Sequence, residues 1–371
     1  MSKQAILHIG GEKTGTTTLQ RFLTNNAQAL RRAGYYYPSE KNNICFDNKG
    51  HFPVAGCMLD TPVEFVSSKK RSTLPLVLQS LKRLSADSDD SLILSCEHFS
   101  SRLTEAKQLR ALRDAISRDD IKIIFYAREA SELVLAAWST WVKGGVRDKL
   151  DLDSVVPTNR YFNHLLVLDL WSEVFGRENL IVREYSRVNL VEGDIRHDFC
   201  EALGIKLKNP RLDEDENRSL DAQRLEVLRH LNEILPMFEE CASGWEHAQD
   251  IRHLVTACIP AGAPLTALMS NADRAMIKAR FADANRELSE RYLGGQLSRK
   301  WFATDDDSTP DHHASSREQA ELVDVLRDTI VRLAEITHRH QSRRPSRKVK
   351  AWWRTVRQKF RSGTASHPAF R

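Results

Sequence analysis

The sequence predicts an α/β protein, a parallel sheet flanked by helices, with a mostly helical C-terminal part. Three observations predict it. Short apolar runs alternate with amphipathic segments as far as Leu203, a glycine-rich turn joins the first apolar run to the first helix, and the pattern becomes almost wholly helical beyond Asp213. A chain of 371 residues with 41% hydrophobic content can bury a substantial core, which excludes disorder throughout and fits one large α/β domain or two smaller ones.

Taken in order, Gln4 to Gly10 reads as a buried strand, and Thr16 to Ala33 as an amphipathic helix with Leu19, Phe22, Leu23 and Leu30 on one side. Tyr35 to Val66 carries Pro38, Pro53, Pro62, Gly50 and Gly56, the composition of a long loop folded over something. A helix near Leu74 to Leu84 precedes a short buried strand, Ser91 to Ser95, that ends at Cys96-Glu97-His98. Glu105 to Ile116 is helical and Ile121 to Tyr126 a strand; Ser131 to Lys143 and Phe162 to Phe175 are helices, Asn179 to Arg183 a strand, and Gly193 to Leu203 a helix. Strand and helix alternating in this way give parallel strands joined by right-handed crossovers. Ligands of such sheets sit at the carboxyl ends of the strands, which places Gly11 to Thr18, Glu97-His98 and Arg128 at one edge.

The later helices are Leu220 to Glu240, Asn271 to Tyr292 and Arg317 to His340. Residues 1–303 are expected to form one α/β domain that includes a helical region, 213–303. An Asp/Ser/His-rich linker follows at 304–316, then a helix at 317–341 and a basic aromatic tail at 342–371. No internal repeat is visible.

The net charge of +5 conceals an asymmetry. Arg343, Arg344, Arg347, Lys348, Lys350, Arg354, Arg357, Lys359 and Arg361 form a cluster with no acidic residue, and without those nine the rest of the chain carries about −4. The six cysteines form no CxxC pair and no His/Cys cluster at zinc spacing, so a reduced, metal-free interior is expected. The first residues show no leader pattern and no apolar stretch approaches 18 residues, which makes the cytoplasm the expected compartment.

The chemistry concentrates in the stretch HIGGEKTGTTTLQ, His8 to Gln20. A glycine-rich turn between strand and helix presents several backbone N–H groups at a helix N-terminus, a ready site for phosphate or sulfate. Lys13 adds a full charge, and the hydroxyls of Thr14, Thr16, Thr17 and Thr18 add donors. The nucleoside-triphosphate loop has its lysine after the second glycine; here Lys13 precedes Gly15. No apolar strand ending in an aspartate that would hold magnesium stands out.

The order G-x-x-K-T-G-T-T resembles the 5′-phosphosulfate loop of sulfotransferases that use 3′-phosphoadenosine 5′-phosphosulfate (PAPS), whose fold is P-loop-like. The resemblance implies that Lys13 bridges the leaving 5′-phosphate and the transferring sulfuryl group and that Gly15, Thr16, Thr17 and Thr18 bind the 5′-phosphate; the residues themselves demand no metal. These enzymes hold the 3′-phosphate with an arginine at a strand end and a serine eight positions on. Arg128 fits the first, but the eighth position after it is Ala136. Ser139 lies one helical turn along on the same face, with Thr140 and Lys143 as further candidates; an arginine fork can hold a phosphate by itself. WSEVFGRENLIVREY, DFCEALGI and ENRSL resemble later segments of bacterial sulfotransferases, so the likeness spans roughly residues 1 to 300.

Sulfuryl transfer is an in-line displacement that relies on positioning and charge. The acceptor hydroxyl must lose its proton, so a carboxylate or imidazole should stand near the sulfur. Glu97 is the first choice, delivered to the edge by its strand; His98 adjoins it but should face away, and His51 on the long loop is the second choice. A carbohydrate hydroxyl is the expected acceptor, with Trp138 and Trp141 able to stack on a sugar ring. Other readings of the loop are a P-loop-type small-molecule kinase, opposed by the lysine order, and a non-catalytic nucleotide-binding protein of the same fold, which Ala136 favours. In the tail, Trp352, Trp353, Val356 and Phe360 share a helical face among the basic residues, the profile of a helix lying on an anionic membrane surface. No nucleic-acid partner is expected.

Overall fold

The strand that leads into the glycine-rich loop lies at the centre of a fully parallel five-stranded sheet. The computed structural model describes residues 4–47, 50–59, 74–213, 220–234, 256, 259 and 262–302. Strands β1 (Gln4–His8), β2 (Tyr35–Tyr36), β3 (Ser91–Ser95), β4 (Asp120–Ala127) and β5 (Leu180–Glu184) stand in the order β2-β3-β1-β4-β5. β1 pairs with β3 on one side (Ala5 with Leu92, Leu7 with Leu94) and β4 on the other (Ala5 with Ile121, Leu7 with Ile123). The predicted parallel α/β architecture is therefore observed.

Side chains alternate across a strand, so consecutive residues feed two separate cores. Ala5, Leu7, Leu92, Leu94, Ile123 and Phe125 lie in the first; Ile6, Ile93, Ile124 and Tyr126 lie in the second. The first core is covered by α3 (Phe52–Gly56), α4 (Leu74–Asp87), α5 (His98–Arg102), α6 (Ala106–Ile116) and α8 (His164–Phe175), through Val54, Val77, Phe99, Leu109 and Trp171. The second is covered by α1 (Thr16–Asn25), α2 (Ala27–Arg32) and α9 (Ile195–Ala202), through Leu19, Leu23, Leu30 and Phe199. With both faces buried, the strands are continuous apolar runs rather than alternating ones.

A third cluster lies around α7 (Ala130–Lys143), where Leu133 and Val134 pack with Val155, Phe162, Met269, Ile277 and Phe281. Glu129 caps α7, accepting hydrogen bonds from the amides of Ser131 (2.9 Å) and Glu132 (3.1 Å).

Three expected elements differ. The helix drawn from Thr16 to Ala33 is two helices, because Asn26 turns its side-chain amide onto Phe22 O (2.9 Å) and Arg211 O (3.0 Å) and leaves helical geometry. The segment Asn271 to Tyr292 likewise divides at the buried Phe281 into α11 (Asn271–Arg280) and α12 (Ala282–Tyr292). The stretch after Tyr35, expected to be irregular, contains β2 and α3. Compact packing defines two units, Met1–Ala222 with Ala263–His313, and Gln223–Gly262 with Ala314–Arg371. In the second, α10 (Ala222–Ile234) is tied internally by Arg224, which donates to Ile259 O (2.9 Å). The linker, final helix and basic aromatic tail expected at 304–371 lie outside the described residues, as do Cys241 and Cys258. Cys45, Cys57, Cys96 and Cys200 are free. Among the described residues no helix is long and apolar enough to cross a membrane.

One buried carboxylate joins the far half of the sheet to α9. Asp198 is 0% exposed and accepts from the Tyr126 hydroxyl (3.0 Å), Arg183 Nε (3.0 Å) and Val191 N (3.1 Å). Removing one member of such a network leaves a buried charge and phenol uncompensated. Asp198→Ala is expected to cost about 3–5 kcal/mol, measured as a loss of unfolding free energy in urea.

Candidate functional site

The loop between β1 and α1 can lie on the sheet edge only because Gly10 and Gly11 have no side chains. A Cβ on Gly11 would stand 2.5 Å from Tyr126 O, and one on Gly10 would stand 2.8 Å from Glu97 Cα. Gly10 and Gly15 also take left-handed backbone angles (φ +72° and +77°), as does Lys13 at φ 63°. A lysine in that region is strained, and strain of this kind persists where surrounding structure enforces it. The enforcement is visible: Arg128 Nη1 donates to Lys13 O at 2.6 Å, and Thr14 Oγ1 donates to Gly11 O at 2.6 Å.

The edge rule holds for three segments that are distant in sequence. Gln20, 4% exposed on α1, donates through Nε2 to Ser95 O (3.3 Å) and Glu97 Oε2 (3.1 Å), which brings the end of β3 against the loop. Arg128, at the end of β4, is braced from behind by His164, whose Nε2 lies 2.7 Å from Arg128 O, and its guanidinium sits 5.7 Å from the Tyr185 ring. Burial lowers the His164 pKa to about 4, so this brace is a neutral imidazole.

Charges of both signs act on Lys13. Burial pushes the Lys13 ammonium below the ordinary lysine range; Glu12 and Glu97 draw it back, and Arg128 pushes it further down. Burial, then the charge of Lys13, lowers Lys143 as well, so two ammonium groups share one neighbourhood. The Thr16 hydroxyl is buried without a hydrogen-bond partner on the same loop. An orphaned donor, a half-buried ammonium and loop amides at the start of α1 form a cradle suited to a phosphate or sulfate oxygen. Among the described residues no three His, Cys, Asp or Glu side chains come together as a metal site.

The other expected site residues are placed variously. Thr17 is exposed and Thr18 partly buried at the start of α1, whereas the Thr14 hydroxyl is spent inside the loop. Ser139 is 3% exposed on the buried side of α7, while Ala136 is partly exposed. His51 is 0% exposed: its Nδ1 accepts from the Ser95 amide (3.1 Å) and its ring meets those of Tyr37 and Phe46 edge-on. Burial lowers its pKa to about 3, and its ring lies against the end of β3. Trp138 is 3% exposed and donates Nε1–H to Asp148 O (3.1 Å), so it anchors the α7 connection; Trp141 is 39% exposed, its ring 5.8 Å from that of Tyr161.

Glu12, Gln20, Tyr161 and His164 are additional members of the site. Glu12 accepts from the Tyr161 hydroxyl (3.0 Å) and faces His98 Nδ1 at 3.6 Å. Burial opposes its ionisation, but hydrogen bonds from His98, Ser101 and Tyr161 outweigh that and hold it at about 2. Gln20 carried one legible signal, a polar side chain among the core-facing positions Leu19, Phe22 and Leu23. Gly11→Ala is expected to cost about 1–3 kcal/mol in urea unfolding, since no flexible side chain can yield to the added methyl.

No protein-family model matches the chain. An uncharacterized protein of Archaeoglobus fulgidus is 28% identical over 136 residues, 36% of this chain and 36% of that protein. The match thus spans about a third of that relative's length. The crystal structure of a sulfotransferase from Alicyclobacillus acidocaldarius superposes over 67% of this chain and 97% of that chain, at 15% identity and a TM-score of 0.38.

Proposed function

We propose that this protein moves a sulfuryl group from PAPS to an acceptor hydroxyl, with a carbohydrate as the acceptor class. The observation that carries the reading is the strained Lys13, held at φ 63° by Arg128 on its carbonyl, beside the orphaned hydroxyl of Thr16. The strained backbone presents one ammonium group beside a hydroxyl that has no hydrogen-bond partner in the protein.

In the proposed reaction the acceptor oxygen attacks sulfur in line with the bridging oxygen of the donor. The S–O bond to the 5′-phosphate breaks, and adenosine 3′,5′-bisphosphate leaves with the bonding pair. Lys13 neutralises the charge that builds on the bridging oxygen, and the amides of Gly15 to Thr18, with the Thr16 hydroxyl, hold the 5′-phosphate. The acceptor proton passes to Glu97, whose carboxylate is oriented by Gln20 from 3.1 Å and close enough to Lys13 to raise its pKa. Arg128 serves the 3′-phosphate with the part of its fork not spent on Lys13 O. Lys143, whose neighbour is Lys13, adds positive charge for the donor.

Calorimetry should show adenosine 3′,5′-bisphosphate binding without magnesium, and ATP with magnesium binding far more weakly; the reverse order would favour the kinase reading. Lys13→Ala is expected to lower labelled-sulfate transfer to a glycan panel by roughly 10²–10³-fold with the unfolding midpoint unchanged. Glu97→Gln should lower kcat by roughly 10²–10⁴-fold while bisphosphate affinity stays constant, and near-full turnover would remove Glu97 as the base.

A further inference from the structure

Arg128 lacks a hydrogen bond that a neighbouring carboxylate could accept. Its Nη1 donates to Lys13 O at 2.6 Å, and its Nε is buried without a hydrogen-bond partner. Glu132 Oε2 lies 3.5 Å from that Nε, within ion-pair range but beyond a good hydrogen bond. An arginine and a carboxylate this close ordinarily lock into a two-point clasp. The competing pull is visible on the other oxygen of Glu132, where Oε1 accepts from Lys300 Nζ at 3.2 Å.

Lys300 is itself moored on both sides. It belongs to a short helical turn, Arg299–Trp301. Just before the turn, Ser298 donates its amide (3.0 Å) and its hydroxyl (2.6 Å) to Glu184, the last residue of β5. After Lys300, Trp301 is 1% exposed, and its carbonyl accepts from Asn285 Nδ2 (3.1 Å). Glu184 pairs in register with Ala127, the residue before Arg128, so the turn is tied to the carboxyl edge of the sheet. Lys300 Nζ also stands 3.7 Å from Glu184 Oε1, and a lysine anchored between two carboxylates pulls on Glu132 from a fixed position.

The consequence falls on the Arg128 fork. The side chain is 23% exposed; with Nη1 spent and Nε enclosed, the nitrogen open to a ligand is Nη2. A Glu132 carboxylate released by Lys300 would close onto the fork and compete with any anion bound there. Such competition weighs heavily here, because the position eight residues after Arg128 is Ala136, which has no hydroxyl to share the anion.

We infer that Lys300 is a positioning residue for the donor: by drawing Glu132 away from Arg128 it keeps the fork open to the 3′-phosphate. The inference rests on the sulfuryl-transfer reading and extends it to the turn at 299–301. Calorimetry tests it with adenosine 3′,5′-bisphosphate and adenosine 5′-phosphate, on the wild-type chain, Lys300→Gln, Lys300→Arg, Glu132→Gln and the double variant Lys300→Gln/Glu132→Gln.

Lys300→Gln is expected to weaken bisphosphate binding about three- to tenfold and to leave the affinity for the 5′-phosphate unchanged. Lys300→Arg should bind both nucleotides as the wild-type chain does. Glu132→Gln should bind the bisphosphate at least as tightly as wild type, and adding Lys300→Gln to it should change nothing further, because the competitor is gone. Equal weakening of both nucleotides in Lys300→Gln marks a structural role; a Lys300→Gln effect that persists without Glu132 marks a long-range charge effect. Either result overturns the inference and leaves the transfer reading standing. A wild-type protein that does not prefer the bisphosphate to the 5′-phosphate overturns the donor reading, and the inference with it.

Discussion

The close approach of the β1–α1 loop to the ends of β3 and β4 is the constraint from which the rest of the site follows. Gly10 meets the backbone of Glu97, and Gly11 meets the carbonyl of Tyr126, at distances where no side chain fits. Because the loop lies so low, Arg128 can reach the Lys13 carbonyl and Gln20 can reach both Ser95 O and the Glu97 carboxylate. The ends of β3 and β4, which lie 75 to 115 residues further along the chain, are thereby fixed to one piece of backbone. The strain at Lys13 is offset by these contacts, which over-determine the loop.

The site's charge is asymmetric in a way that composition conceals. Apart from the basic cluster at 343–361 the chain is mildly acidic, yet Lys13 and Lys143 share one neighbourhood at the loop, with Arg128 close to Lys13. The carboxylates nearby are committed elsewhere: Glu12 to Tyr161 and His98, and Glu132 to Arg128 and Lys300. Half-buried cations held in a low-dielectric edge raise the local concentration of anions more effectively than the net charge would indicate. Under the proposed reaction, a donor with several negative charges fits that field.

The sheet was legible because its strands are short apolar runs bounded by turn residues, and because one edge rule collects the loop, Glu97 and Arg128. The break at Asn26 was not legible, since it depends on a hydrogen bond to Arg211, far away in sequence. The burial of His51 was not legible for a related reason. Its loop carries the prolines and glycines of a surface cover, yet α3 folds it into the interior, where the Ser95 amide and two aromatic rings enclose it. His164 lies in a helix that the sequence predicts, but its contact with Arg128 O joins residues far apart in the chain, and Arg160 lies in the connection between α7 and α8, outside any predicted helix or strand.

The choice of base under the proposed reaction turns on which group has a free lone pair facing the transferred group. His51 has a depressed pKa, which would suit a neutral base, but one ring nitrogen accepts from the Ser95 amide and the ring is wholly enclosed. His98 faces Glu12 at 3.6 Å and receives Arg102 Nε at 3.3 Å, so the same ring nitrogen is drawn both to a carboxylate and to a guanidinium. That arrangement positions the loop through Glu12 rather than offering a site for an acceptor proton. Glu97 has one oxygen oriented by Gln20, and its charge is felt by Lys13. It is therefore the group that combines orientation, proximity to the cradle and remaining acceptor capacity, the three properties a base at this edge requires.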